Sequence, residues 1–271
     1  VLLLGPARGE AVVINEIFYH PAGTNLLEQW FELFNPAPGP VDVSGWRVTR
    51  GVEFQFPSGT VIPGGGYLVV AADAATFAAH NPGVANVVAG WTGTLHHAIE
   101  VSDAAGSVVN AVEFYNQGDW ATRVLGANGV LGATDDFKGL GWSWFALHDG
   151  GGASLELINP ELPNTYAHNW GANATTNTTP GRANSLLTAN TAPLIASVSH
   201  LPIIPQPADP VVITARIVDE HPATVVATVF WRVDGSSAFT PAAMADDGAH
   251  GDGVASDGVF GAILPPQPAG T

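Results

Sequence analysis

Short apolar runs with a period of two, cut apart by glycine and proline, recur along this chain and commit it to sheet structure. "VEFQF" is the clearest: Val52, Phe54 and Phe56 alternate with Glu53 and Gln55, the mark of a half-buried strand. Comparable runs are "VVINEIFY" (12–19), "QWFELFN" (29–35), "WRVTR" (46–50), "GGGYLVVAA" (64–72), "AIEVSD" (98–103), "SVVNAVEFY" (107–115) and "SLELIN" (154–159). The "AAG" between the runs at 98–103 and 107–115 predicts a hairpin. Only "DAATFAAH" (73–80) predicts a helix, of two turns at most, with Asp73 as N-cap and Asn81-Pro82 as the stop. With 32 glycines, 21 prolines and 46% hydrophobic residues, the chain is folded, turn-rich and mostly β.

The pattern falls into two domains. Residues 12–185 predict a β-sandwich with an irregular insertion at 116–152, pinned down by Trp120, Trp142 and Trp144. Residues 186–193 predict a linker. A second set of strands follows: "LIASVSHL" (194–201), "PVVITARIVD" (210–219), "TVVATVFWRVDG" (224–235), "MADD" (244–247) and "GVFGAIL" (258–264). An immunoglobulin-like sandwich has about seven strands, so 194–271 is expected to be such a domain truncated at its C-terminus. Residues 1–11 are expected to be a signal-peptide remnant, with Gly9 and Ala11 as the small residues before cleavage, and this predicts an exported protein. Trp30, Trp46 and Trp231 lie in strand runs and are expected in the cores.

The chain has no cysteine, which excludes disulfides, thiolate metal sites and a cysteine nucleophile. Acidic residues outnumber basic ones 24 to 8, for a net charge of −16. That balance argues against nucleic acid and anionic membranes and favours divalent cations. No H-E-x-x-H, G-x-S-x-G, Walker or G-x-G-x-x-G motif occurs.

Four groups of residues remain as candidates. In "DDGAHGDGVASDG" (246–258), Asp-Gly recurs every five residues. Asp246, Asp247, Asp252 and Asp257 supply carboxylates for calcium, and the glycines let the chain curl around it. Equally, Asp-Gly makes tight turns with aspartate bonded to its own backbone; both readings stay open, and His250 reads as a solvated turn residue. Glu16, Glu28 and Glu32 lie on or beside two strands that should pair. They fit either an acid–base pair or structural carboxylates bonded to backbone or arginine, the second being the better fit. His96 and His97, adjacent on a strand, should face opposite ways and not share a metal. Trp120, Trp142 and Trp144 staple the insertion or, alternatively, stack on sugars.

Residues 12–185 resemble a bacterial lamin-tail domain. The resemblance rests on "VVINEIFYHP", "EQWFELFNP", "VDVSGWRVT", "FQFPSGTVIPGGGYLVVA", "GGASLELINPEL", "NWGA" and "TPGRANS", in that order. It implies an all-β, immunoglobulin-like sandwich without a catalytic centre. In lamins this domain binds proteins and chromatin; in bacteria it accompanies nucleases, phosphatases or adhesive modules in exported proteins. The second half resembles the immunoglobulin-like domain that often follows, in proteins that continue into a kinase-like domain similar to spore-coat protein H. The expected function is a non-catalytic, cell-surface interaction or adhesion module, its partner a protein or surface polymer. A carbohydrate-binding module is the alternative, as is the targeting region of an enzyme whose catalytic domain lies beyond Thr271. An exposed sheet edge would also allow self-association by strand addition.

Overall fold

A computed structural model describes residues 12–125, 142–173 and 178–267. The expected leader, residues 1–11, lies outside the described residues. The chain forms two compact units, Val1–Ala189 and Asn190–Thr271.

In chain order the first unit holds β1 (Val13–Phe18), β2 (Trp30–Phe34), β3 (Val41–Asp42), β4 (Arg47–Arg50), β5 (Phe54–Gln55), β6 (Val61–Ile62) and β7 (Tyr67–Ala71). The helix α1 (Ala74–His80) follows, then β8 (Val87–Ala89), β9 (Ala98–Ser102), β10 (Val108–Glu113), β11 (Thr122–Leu125), β12 (Trp142–Phe145), β13 (Leu155–Leu157) and β14 (Trp170–Ala172). One sheet runs β14-β13-β1-β2-β7-β8 and a second β10-β9-β4-β5. Between them Ile14, Ile17, Phe31, Leu33 and Val70 pack with Val48, Ile99, Val101 and Val112. Period-two alternation selects Phe31 with Leu33 and Ile99 with Val101 for the inner face, and a bulge between Ile14 and Glu16 lets Ile14 and Ile17 share it.

The outer face of the six-stranded sheet is also buried. Trp30, Val69 and Ala71 pack there with Phe77, the one buried side chain of α1. Phe77 meets the Trp30 ring edge-on at 5.9 Å. Asp73 starts the helix as read from sequence: its Oδ1 accepts the Thr76 N–H at 2.8 Å. The helix sits in the crossover between β7 and β8, which pair in parallel and so need such a connection. Covered on both sides, β2 has buried residues at Trp30, Phe31, Glu32 and Leu33 alike.

Two expectations for this unit are corrected. The insertion is not wholly irregular: β11 and β12 pair antiparallel, Arg123 opposite Trp144 and Leu125 opposite Trp142. Trp46 precedes β4 and is half-buried rather than in the core.

The second unit holds β15 (Leu194–Leu201), β16 (Val211–Val218), β17 (Ala227–Trp231), β18 (Thr240–Met244) and β19 (Val259–Leu264). β15, β16 and β19 form one sheet and β17 with β18 another. An isolated bridge, Ala245 to Gly261, links the two. A side chain at Gly261 would place its Cβ 2.4 Å from the His250 carbonyl, so only glycine lets the aspartate-rich segment lie against β19. Ile217, Ala227 and Phe260 form a small core, and Trp231 is half-buried, contrary to expectation. The strand expected at 244–247 falls instead on Thr240–Met244, because Asp246 and Asp247 are engaged in turns.

Candidate functional site

Three glutamates stand side by side on the outer face of the six-stranded sheet. Register places Glu16 of β1 between Glu32 of β2 and Glu156 of β13. All three are fully buried. Their cover is the segment after β14, and its donors close on the carboxylates one by one. Glu16 Oε1 accepts from the Ser154 hydroxyl at 2.5 Å and the Thr179 N–H at 2.9 Å, and its Oε2 from the Thr179 hydroxyl at 2.9 Å. Glu32 accepts from Asn15 Nδ2 at 2.9 Å and the Gly181 N–H at 2.5 Å. Glu156 accepts from the Ser185 hydroxyl at 2.8 Å and the Leu186 N–H at 3.0 Å. Asn184 Nδ2 adds bonds to the Asn15 and Leu157 carbonyls.

Burial pushes Glu16 up to about 7, against the pull of Ser154 and Thr179 and with a further push from Glu156. Burial pushes Glu32 up to about 8; the Gly181 N–H opposes this and the Glu16 charge adds to it. At neutral pH Glu32, and Glu16 in part, therefore retain their protons. Sealed from solvent, the row holds the cover down and presents no group to a substrate. This matches the structural reading of Glu16 and Glu32 in its backbone donors and corrects it on arginine. Arg47 and Arg50 are exposed on the other sheet, where Arg50 pairs with Glu113 at 2.5 Å. Glu28 lies apart, in a turn, bonded to Asn25.

A second feature of this unit is an open cavity of about 520 Å³, lined by Asn116, Gln117, Trp144, Phe145, Asp149 and Gly150 among others. Asp149 Oδ2 accepts from Asn116 Nδ2 at 2.7 Å, and Oδ1 pairs with His20 Nδ1 at 2.5 Å. Burial alone would raise the Asp149 carboxyl, but the Asn116 and His20 bonds outweigh it and hold it below the usual carboxylate range. Behind it lies the buried Tyr19 hydroxyl, which has no partner within hydrogen-bond geometry. Burial first, and then the neighbouring Asp149 charge, raise the Tyr19 pKa. His148, whose Nε2 contacts the Tyr115 carbonyl at 3.0 Å, is shifted down by burial.

Residues 6–116 match the family described as Lamin Tail Domain. A lamin tail domain leads this chain. Residues 214–271 match the family described as conditioned medium factor 2nd Ig-like domain. The chain is thus an all-β protein in which a lamin tail domain, itself an Ig-like sandwich, is followed by a second Ig-like domain. None of the curated proteins compared with it matches. The match to the lamin tail domain ends at 116, yet β13 and β14 belong to the same six-stranded sheet.

The sequence candidates fall as follows. In the lamin tail unit, Trp120 is half-buried and packs on Trp170, ring centroids 6.3 Å apart. Trp144 lines the cavity, 42% exposed, with the Arg123 guanidinium 5.3 Å from its ring centroid. Trp142 stands in β12 opposite Leu125. His96 and His97 do not face opposite ways: His97 has φ +56° and the two rings stack at 4.0 Å.

In the Ig-like unit the period-five aspartates each hold a turn. Asp246 accepts the Asp257 and Gly258 N–H groups at 3.2 and 2.9 Å. Asp247 accepts the Ala249 N–H at 2.9 Å and pairs with the His250 ring, which lowers the Asp247 pKa and raises that of His250. Asp252, buried, accepts the Gly248 and His250 N–H groups at 2.7 and 3.1 Å. Asp257 accepts the Val259 N–H at 2.8 Å. His250 is thus a solvent-exposed turn residue, as read from sequence, with Asp247 as its partner. Among the described residues, the metal-ligating groups that come within 4.8 Å of one another are instead Asp219, Glu220 and His221, after β16.

Sequence reasoning missed Glu156, Asn15, Asn184, His20 and Asp149. One signal was present: N-E-I, F-E-L and L-E-L each set a glutamate beside apolar residues, at Glu16, Glu32 and Glu156.

Proposed function

We propose that this chain is a non-catalytic interaction or adhesion module of an exported, cell-surface protein. Lamin tail and Ig-like domains are typically non-catalytic, and Ig-like domains often mediate protein interactions. The observation that carries the reading is the glutamate row. The most perturbed carboxylates, Glu16 and Glu32, are fully buried and bonded to the chain that covers them, so their chemistry serves assembly. Contact with partners then falls to the exposed surface, which includes the open cavity beside Asp149.

An extracellular setting is supported by the conditioned medium factor family matched at 214–271 and by the scarcity of lysine. No helix among the described residues is long and apolar enough to cross a membrane. The test pairs two assays on the purified full chain: binding of the labelled chain to intact cells and extracellular polymers, and turnover of phosphoester, glycoside and peptide substrates. Saturable binding without turnover is the expected result. Turnover of any substrate, abolished by Glu16→Gln or Glu32→Gln, would overturn the reading.

A further inference from the structure

The geometry points to the cavity beside β12 as a binding subsite for a neutral sugar ring of a glycan. This deepens the interaction-module reading and rests on it. Four observations carry the assignment. The volume of about 520 Å³ falls within the ~300–1,000 Å³ of small-molecule sites. Trp144 in its wall is 42% exposed, so part of its ring is open to an apolar surface. The C–H faces of a pyranose supply such a surface, and amphipathic aromatic rings suit a ligand that is apolar on its faces and wet at its edges.

The polar lining completes the match. Asn116 and Gln117 each carry an amide that both donates and accepts, as a vicinal diol does. Asp149 already accepts from Asn116 and His20, so its charge is partly compensated, and its remaining lone pairs suit hydroxyl donors better than a second cation. The chain's net charge of −16 disfavours an anionic ligand. The Arg123 guanidinium lies over one face of the Trp144 ring, 5.3 Å from its centroid.

The rival ligand is a basic peptide, which exposed rings and a carboxylate would also attract. The test uses the full chain, a glycan array for survey, and calorimetry with tetrasaccharides of β-1,4-glucose, α-1,4-glucose and β-1,4-N-acetylglucosamine. A lysine-rich peptide serves as the competing arm. Binding to at least one neutral glycan is expected, with quenching or shift of tryptophan emission. Trp144→Ala should weaken it about tenfold, the factor that ~1.4 kcal/mol corresponds to. Gln117→Ala, an exposed position, should weaken it with the circular dichroism unchanged. No binding on the array, glycan binding unchanged in both variants, or preference for the lysine-rich peptide overturns the assignment. Cell binding that survives while glycan binding fails would leave the broader reading standing.

Discussion

Replacing Glu32 by glutamine should flatten the fall of stability with rising pH that the wild type shows. Glu32 is fully buried and its carboxyl is raised from 4.5 to about 8. Below pH 4.5 the group is protonated whether the chain is folded or not, and its contribution to stability is fully present. Between 4.5 and about 8 the unfolded chain has released this proton and the native chain still binds it, so stability falls as pH rises, levelling off above the folded value. At ~1.36 kcal/mol per pKa unit the whole swing is about 5 kcal/mol. Glu16, raised from 4.5 to about 7, adds a swing of about 3 kcal/mol by the same constant. Glutamine carries no titratable proton but keeps an acceptor for the Gly181 N–H, forfeiting one bond to Asn15 at about 1 kcal/mol. The variant should thus be the less stable protein at pH 5 and the more stable at pH 9, with the curves crossing between. Urea unfolding of the full chain from pH 5 to 9, read by tryptophan emission, measures this. The lamin tail unit holds Trp30, Trp46, Trp91, Trp120, Trp142, Trp144 and Trp170, so the signal reports chiefly on it. His148, shifted down by burial, stabilises the native state above its unfolded pKa and loses that as pH falls. It is common to both proteins and cancels in their difference. A difference curve flat with pH would refute the account of the glutamate row.

Two further outcomes follow from the same geometry. Gly181 has φ +78° and an added Cβ would meet Val84 Cγ1 at 3.0 Å, so Gly181→Ala should cost about 1–2 kcal/mol and loosen the cover, seen as faster hydrogen exchange at Thr179 and Leu186. In the Ig-like unit, every period-five aspartate already accepts backbone N–H groups, so calcium titrated by calorimetry should give no heat and no rise in melting temperature. Asp252→Ala, which leaves the Gly248 and His250 N–H groups without their acceptor, should lower it; a calcium-dependent rise lost in that variant would restore the cage.

Local chemistry was legible in the sequence. The Asp73 cap and the Asn81 stop placed α1, and alternation placed β9 and β10 about the "AAG" turn. What failed depends on partners far away in the chain. β3 and β6 are two residues each and exist only as a pair, and β8 is a strand because β7 lies beside it in parallel. The pairing of β11 with β12 is announced by no tight-turn dipeptide next to either strand. Glu16 and Glu32 were marked as structural, yet an acidic residue on the outward face of a strand ordinarily meets water. Only contacts spanning 163 and 149 residues, to Thr179 and Gly181, take them out of it.

That separation has a consequence for biogenesis. β1 and β2 are synthesised long before the residues that roof them, so during translation these carboxylates stand hydrated and charged, and the nascent sheet is wet on one side. Closure must then gather protons as well as drive out solvent, so an alkaline medium weakens it.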